Sequence, residues 1–113
     1  MEHIFVKQDL ILDFIRQFRN LGAENCFSNG MCYWFAHILR NRFITEHCHI
    51  MYDQVANHFG CEINSVIYDI TGVVNGKYDW ESWCTIVYND PKLAERIKRD
   101  CIDKLPYEYW EET

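Results

Sequence analysis

Two residues on one predicted hairpin have the types and spacing most suggestive of chemistry in this chain. The segment HFGCEINSVIYDIT, from His58 to Thr71, is predicted to turn at Asn64-Ser65, so that residue 63 pairs with 66 and residue 58 with 71. In that register His58 and Asp69 are diagonal neighbours, roughly 7–8 Å apart at the backbone and within side-chain reach. A histidine that contacts a carboxylate is half of a catalytic constellation, and it requires a nucleophile.

The opposite face of the same hairpin is predicted to face the core. Alternation along the two strands places only apolar or weakly polar side chains on it: Phe59, Cys61, Ile63, Val66, Tyr68 and Ile70. The polar face carries His58, Gly60, Glu62, Ile67, Asp69 and Thr71, and Gly60 opposite Asp69 leaves room for the pair. A register shift of one residue would turn the apolar set toward solvent, so the pattern favours the turn at Asn64-Ser65.

The strongest nucleophile candidate is Cys32. Asn29 and Gly30 are typical turn and N-cap residues, and the residues from Met31 to Arg42 have helical spacing. Cys32 would then lie in the first helical turn, where unpaired N–H groups and the helix dipole favour thiolate over thiol and could also hold an oxyanion. Cys26, on the preceding loop, is a weaker rival, and the alternative for Cys32 is a thiol simply packed under the helix.

The order of these residues resembles that of the papain-like and transglutaminase-like cysteine hydrolase superfamily. In this chain the block CYWFA begins at Cys32, His58 opens a strand, and Asp69 lies on the next strand. The chain is also similar to small proteins encoded by phages and prophages of Gram-positive bacteria, with NCYWFA-like and HF…YYDITG-like blocks. The likeness covers about residues 25 to 83. It implies a minimal papain-like or transglutaminase-like core without a cofactor.

The resemblance also implies a role for each residue. Cys32 would be the nucleophile, His58 the general base and later the general acid, and Asp69 the residue that orients the imidazole. Asn25 and Asn29 are candidates for a second oxyanion donor. The substrate would be an amide, thioester or isopeptide carbonyl, although the superfamily also contains inactive members.

Composition sets bounds on these hypotheses. The 113 residues, 49% hydrophobic and 16% aromatic with two prolines, predict one folded domain spanning residues 1–113. No apolar run is long enough to span a bilayer and no secretory signal is visible, so we expect a cytoplasmic protein whose six cysteines are free thiols. A formal charge of −6 argues against direct nucleic-acid binding and is compatible with a basic protein partner.

The pattern of the whole sequence predicts an α+β domain of about three helices packed on a short antiparallel sheet, a papain-like or transglutaminase-like minimal core according to the resemblance. An amphipathic helix is expected from Gln8 to Leu21, with Gly22 as its stop, and a short strand from His49 to Asp53. Asp90-Pro91 begins a third helix. Its buried stripe is Leu93, Ala94, Ile97, Cys101 and Leu105. Residues 84–88 are interpreted as a possible strand, and the tail from Pro106 to Thr113 as loose.

A second hypothesis is a non-catalytic phage-type inhibitor, an anti-defence protein that binds a basic, nucleic-acid-processing host protein. Its partner-binding residues would be Tyr78, Trp80 and Trp83, in an aromatic and acidic segment that could equally cover the core. A metal site at His47-Cys48-His49 is not expected, because no recognised zinc spacing is present. The oligomeric state is left open.

Overall fold

The computed structural model describes residues 8–22, 31–44 and 47–103. Within them the helices are α1 (Gln8–Asn20), α2 (Cys32–Arg42), α3 (Trp83–Asn89) and α4 (Pro91–Ile97), which a π-helical segment (Lys98–Asp103) continues. The strands are β1 (Cys48–Asp53), β2 (His58–Ile63), β3 (Val66–Asp69), β4 (Gly72–Val73) and β5 (Trp80–Ser82). They form one antiparallel sheet in the order β4-β3-β2-β1-β5. The predicted α+β class is confirmed.

The hairpin has the predicted register. Cys61 pairs with Tyr68, Glu62 with Ile67 and Ile63 with Val66. Asn64 and Ser65 both have positive φ, 51° and 72°, as a two-residue type I′ turn requires. On the predicted core face Val66 is half-buried, and the other five residues are buried: Phe59, Cys61, Ile63, Tyr68 and Ile70.

Helix α1 is confirmed with nearly its predicted limits. Ile11 and Ile15, four residues apart, are buried, because side chains at that spacing share one helix face. Gly22 has φ +80°, and its N–H donates to the Arg19 carbonyl at 3.0 Å, which ends the helix. Leu10 and Leu21, also part of the apolar pattern, are exposed.

Two predictions on the C-terminal half have different outcomes. The helix at Asp90-Pro91 is confirmed, because the Asp90 side chain accepts a hydrogen bond from the Leu93 N–H at 3.2 Å and Pro91 occupies the first helical position. The strand interpretation of residues 84–88 is wrong, since they belong to α3. With α3, the described residues contain four helices, one more than predicted. Leu105 and the tail lie outside the described residues.

The core lies between the sheet and α2. Phe59 on β2 is its aromatic centre, with ring centroids 5.1 Å from Tyr33, 4.8 Å from Tyr52 and 5.2 Å from Trp83. Trp34 ties α2 to the C-terminal segment, because its indole N–H donates to the Ile102 carbonyl at 3.2 Å. This packing fixes the start of α2 beside the start of β2, where Cys32 and His58 lie.

Candidate functional site

The predicted pair of His58 and Asp69 is formed. The Nε2 atom of His58 is 2.8 Å from Oδ2 of Asp69, and both side chains are largely buried. Their contact follows from the hairpin register, which places the two residues on the same face of neighbouring strands. The pair is thus a local product of the turn at Asn64-Ser65.

Thr71 fixes the second oxygen of the carboxylate. Its backbone N–H donates to Oδ1 of Asp69 at 2.8 Å, and its hydroxyl donates to the same oxygen. Burial of Asp69 opposes ionisation, but the hydrogen bonds from His58 and Thr71 outweigh it and lower the pKa of Asp69. Sequence reasoning placed Thr71 on this face without a role. The signal that could have identified it is its spacing, because Ser or Thr two residues after Asp is typical of such a local turn.

Cys32 is the first residue of α2 and brings its thiol to the same place. Its sulfur accepts a hydrogen bond from the backbone N–H of Phe59 at 3.4 Å, and the residue is only 8% exposed. The thiol therefore lies both at a helix start and against a backbone donor of β2.

The predicted cap of α2 requires a correction. The N-cap position is held by Met31, whose side chain makes no capping hydrogen bond, whereas the sequence pattern favoured Asn29 or Gly30. The helix starts there because the Met31 carbonyl accepts the Phe35 N–H at 3.2 Å. The N–H groups of a first helical turn can bind an anion. Asn25, Cys26, Asn29 and Gly30 lie outside the described residues.

His58 interacts with both Asp69 and Cys32. Its hydrogen bond to Asp69, followed by its interaction with the Cys32 sulfur, raises the pKa of His58 from 6.5 to about 9, and burial opposes this only in part. The imidazole is therefore protonated at neutral pH. Because Nε2 is bound to Asp69, Nδ1 is the ring nitrogen that remains for proton exchange with the thiol.

Two of the three predicted partner-binding residues are neighbours of His58. The rings of Tyr78 and Trp80 stack on each other at 4.9 Å and lie 6.1 Å and 6.0 Å from the His58 ring. Trp80 also covers Gly60, where an added Cβ would lie 3.3 Å from the indole and 2.9 Å from Ile67. Trp80 therefore occupies the space above Gly60. Tyr78 and Trp80 together form the aromatic wall of the site.

Trp83 belongs to the other side of the sheet. It packs on the core through Phe59 and Tyr52, with ring centroids 5.2 Å and 6.1 Å away. Neither Trp80 nor Trp83 is fully exposed. The segment from Tyr78 to Trp83 is therefore divided between two faces of the sheet.

A cavity of about 480 Å³ adjoins the pair on the side of Asp69. His58, Asp69, Thr71 and Tyr78 contribute to its wall, and Cys32 is not part of that lining. The lining is completed by Ala56, Val73, Val74 and Asn75. His58 thus contributes to the wall of this cavity and also interacts with the buried thiol of Cys32.

Within the described residues, no group of three or more His, Cys, Asp or Glu side chains is arranged to hold a metal ion. In the segment His47-Cys48-His49, where no metal site was expected, the Cys48 thiol donates a hydrogen bond to the Phe43 carbonyl at 2.7 Å. The same parts of the chain contain no helix that is both long and apolar enough to cross a membrane.

Comparison with known proteins gives one match. No curated protein and no solved structure is detectably similar to the chain. A family model, described as phage YunG-like protein, matches residues 11–101, which include Cys32, His58 and Asp69. The match supports the expected likeness to phage proteins and does not extend to the cysteine hydrolase superfamily. The chain belongs to the phage YunG-like protein family.

Proposed function

We propose that the chain is a cysteine hydrolase or acyltransferase of papain-like type, acting on an amide, thioester or isopeptide carbonyl. One observation carries the proposal: a single imidazole is hydrogen-bonded to Asp69 and interacts with a thiol at a helix start. Cys32 is the nucleophile, His58 the acid and base, and Asp69 the group that orients the imidazole.

The proposal pairs a thiolate at Cys32 with an imidazolium at His58. His58 carries its proton at neutral pH because its pKa is about 9, and Asp69 is ionised because hydrogen bonds lower its pKa. A cation beside sulfur stabilises the thiolate, as does the N–H of Phe59. His58 therefore begins the reaction as the acid and becomes the base only afterwards.

The reaction proceeds in two steps, acylation of Cys32 and then deacylation. The Cys32 thiolate attacks the carbonyl carbon, and first-turn N–H groups of α2 stabilise the oxyanion. His58 then gives its proton to the leaving amine or thiol, which departs as the carbon–heteroatom bond breaks and leaves an acyl-cysteine. Neutral His58 next takes a proton from water or an acceptor amine, whose attack releases the acyl group and restores the thiolate.

Brief iodoacetamide labelling of the native protein, read by mass spectrometry, tests the proposal. Cys32 should still react rapidly at pH 6, and labelling of Cys84, an exposed thiol outside the site, is the comparison. Cys61 should stay unmodified, because burial raises its pKa to about 12. His58→Ala should slow Cys32 labelling by about tenfold or more.

His37→Ala is the matched control, since His37 lies on α2 and its ring contacts Tyr33, Trp34 and Asn41 instead of Asp69. That variant should leave Cys32 labelling unchanged. Equal pH profiles for Cys32 and Cys84, with no response to His58→Ala, would contradict the thiolate–imidazolium pair.

The second candidate is a non-catalytic inhibitor that binds a basic host protein. It is favoured by the low exposure of Cys32 and by a cavity lining that includes His58 but not the thiol. A phage-type family is compatible with this role. Under this alternative, Cys32→Ala leaves partner binding unchanged, and salt weakens binding because opposite charges drive association.

A further inference from the structure

Asp53 is a buried carboxylate outside the constellation described above. It is the last residue of β1 and only 2% exposed. The sheet register places it directly opposite His58 on β2 and directly opposite Trp80 on β5. Asp53 therefore lies in a row of three residues on neighbouring strands, between Trp80 and His58, the candidate acid and base.

Both oxygens of this carboxylate are used by backbone donors. Oδ2 accepts the N–H of Ala56 at 2.6 Å, and Oδ1 accepts the N–H of Asp79 at 2.7 Å. Ala56 belongs to the turn that leads into His58, and Asp79 lies between Tyr78 and Trp80. One side chain thus ties together the two segments that hold the imidazole and its aromatic wall.

A carboxylate suits this position better than an amide does. Two N–H donors approach it from different segments, and a carboxylate supplies two acceptor oxygens and no donor. Asparagine would direct its own NH₂ group at one of the two N–H groups and leave it unsatisfied. The two short charge-assisted hydrogen bonds also offset the cost of burying the charge.

We propose that Asp53 is a positioning residue that fixes the imidazole of His58 through the backbone of these two segments. The inference rests on the proposed function, because His58 matters as the acid and base of that site. Asp53 itself accepts hydrogen bonds from the backbone N–H groups of Ala56 and Asp79. The titratable groups that face the imidazole are Asp69 from β3, Cys32 from α2 and Tyr78 from the segment before β5.

The test is an NMR titration of His58 in the Asp53→Asn protein, with the Nε2 proton of His58 as a second signal. In the wild type we expect a pKa of about 9 and a slowly exchanging Nε2 proton held by Asp69. In the variant the segments separate, so the pKa should fall toward 6.5 and the Nε2 proton should exchange faster. Cys32 labelling at pH 6 should slow in parallel.

Asp79→Asn is the matched control. It makes the same carboxylate-to-amide change in the same segment, but the Asp79 side chain is exposed and only its backbone N–H takes part. It should leave the His58 titration unchanged. An Asp53→Asn protein that melts at lower temperature yet titrates like the wild type would show a merely structural role and overturn the inference.

Two further measurements keep the inference testable. If Asp53→Asn does not fold, Asp53→Ser takes its place. Hydrogen exchange of the Asp79 backbone amide is also measured in the wild type, where fast exchange would contradict its hydrogen bond to Asp53. The proposed function fails separately: Cys32 labelling that ignores His58→Ala removes the catalytic pair but leaves the dependence of the His58 titration on Asp53 in place.

Discussion

His58 is the residue on which the candidate chemistry depends, because its side chain interacts with both Asp69 and Cys32. Its two partners differ in how far they could be predicted. Asp69 is eleven residues away along a hairpin, so strand alternation alone predicted the contact. Cys32 comes from a separate helix, and its position beside His58 is set by packing of α2 on β2 around Phe59, which no local pattern encodes.

The raised pKa of His58 has a consequence for stability. A histidine with a pKa of about 9 when folded and 6.5 when unfolded stabilises the fold fully below pH 6.5 and loses that contribution as pH rises through 9. We expect His58→Gln to cost on the order of 1–2 kcal/mol at pH 6, discounted because the imidazole is partly solvated. Above pH 10 the cost should be smaller by about that amount.

Urea unfolding of both proteins at several pH values measures this difference. The Asp69 carboxylate behaves oppositely, since its lowered pKa makes its contribution disappear as pH falls, so the comparison is made above pH 5. A cost of His58→Gln that does not change between pH 6 and pH 10 would mean that the imidazole is not held as a cation.

At the scale of elements, the β2–β3 hairpin makes a prediction about its turn. Ser65 has φ 72°, a conformation that glycine adopts freely and β-branched residues adopt with strain. Ser65→Gly should raise the free energy of unfolding by about 0.5–1 kcal/mol, and Ser65→Val should lower it by about 1–3 kcal/mol. Chemical denaturation measures both, and a Val variant as stable as the wild type would contradict the type I′ turn.

The hairpin was predictable and α3 was not, for a physical reason. Hairpin alternation is a strong local signal because five of the six residues on one face are buried. The segment WCTIVYN contains Thr85, Ile86 and Val87, which favour a strand, and only Ile86 is buried in the helix that forms. Trp83, packed on Phe59, helps to anchor the start of that helix, so tertiary contact outweighs local propensity.

At the scale of the whole molecule, the sheet separates two environments. One face carries α2 and the aromatic core, and the other carries the row of Trp80, Asp53 and His58. The Cys32 thiol lies at the start of β2, where its sulfur accepts the hydrogen bond from the Phe59 N–H. The net charge of −6 would favour encounter with a basic protein under either function, so salt dependence alone cannot separate them.

A small uncharged ester separates turnover from simple binding because it needs no partner surface. With p-nitrophenyl acetate, the proposed enzyme should release p-nitrophenol in a burst as Cys32 is acetylated, followed by steady release as His58 directs water at the acyl-cysteine. Cys32→Ala should lower the steady rate on the order of a thousandfold, whereas Cys84→Ser, the exposed-thiol control, should not. Intact mass spectrometry locates the acetyl group. Steady release that survives Cys32→Ala, or acetylation confined to Cys84, would leave the fold intact but remove its catalytic interpretation.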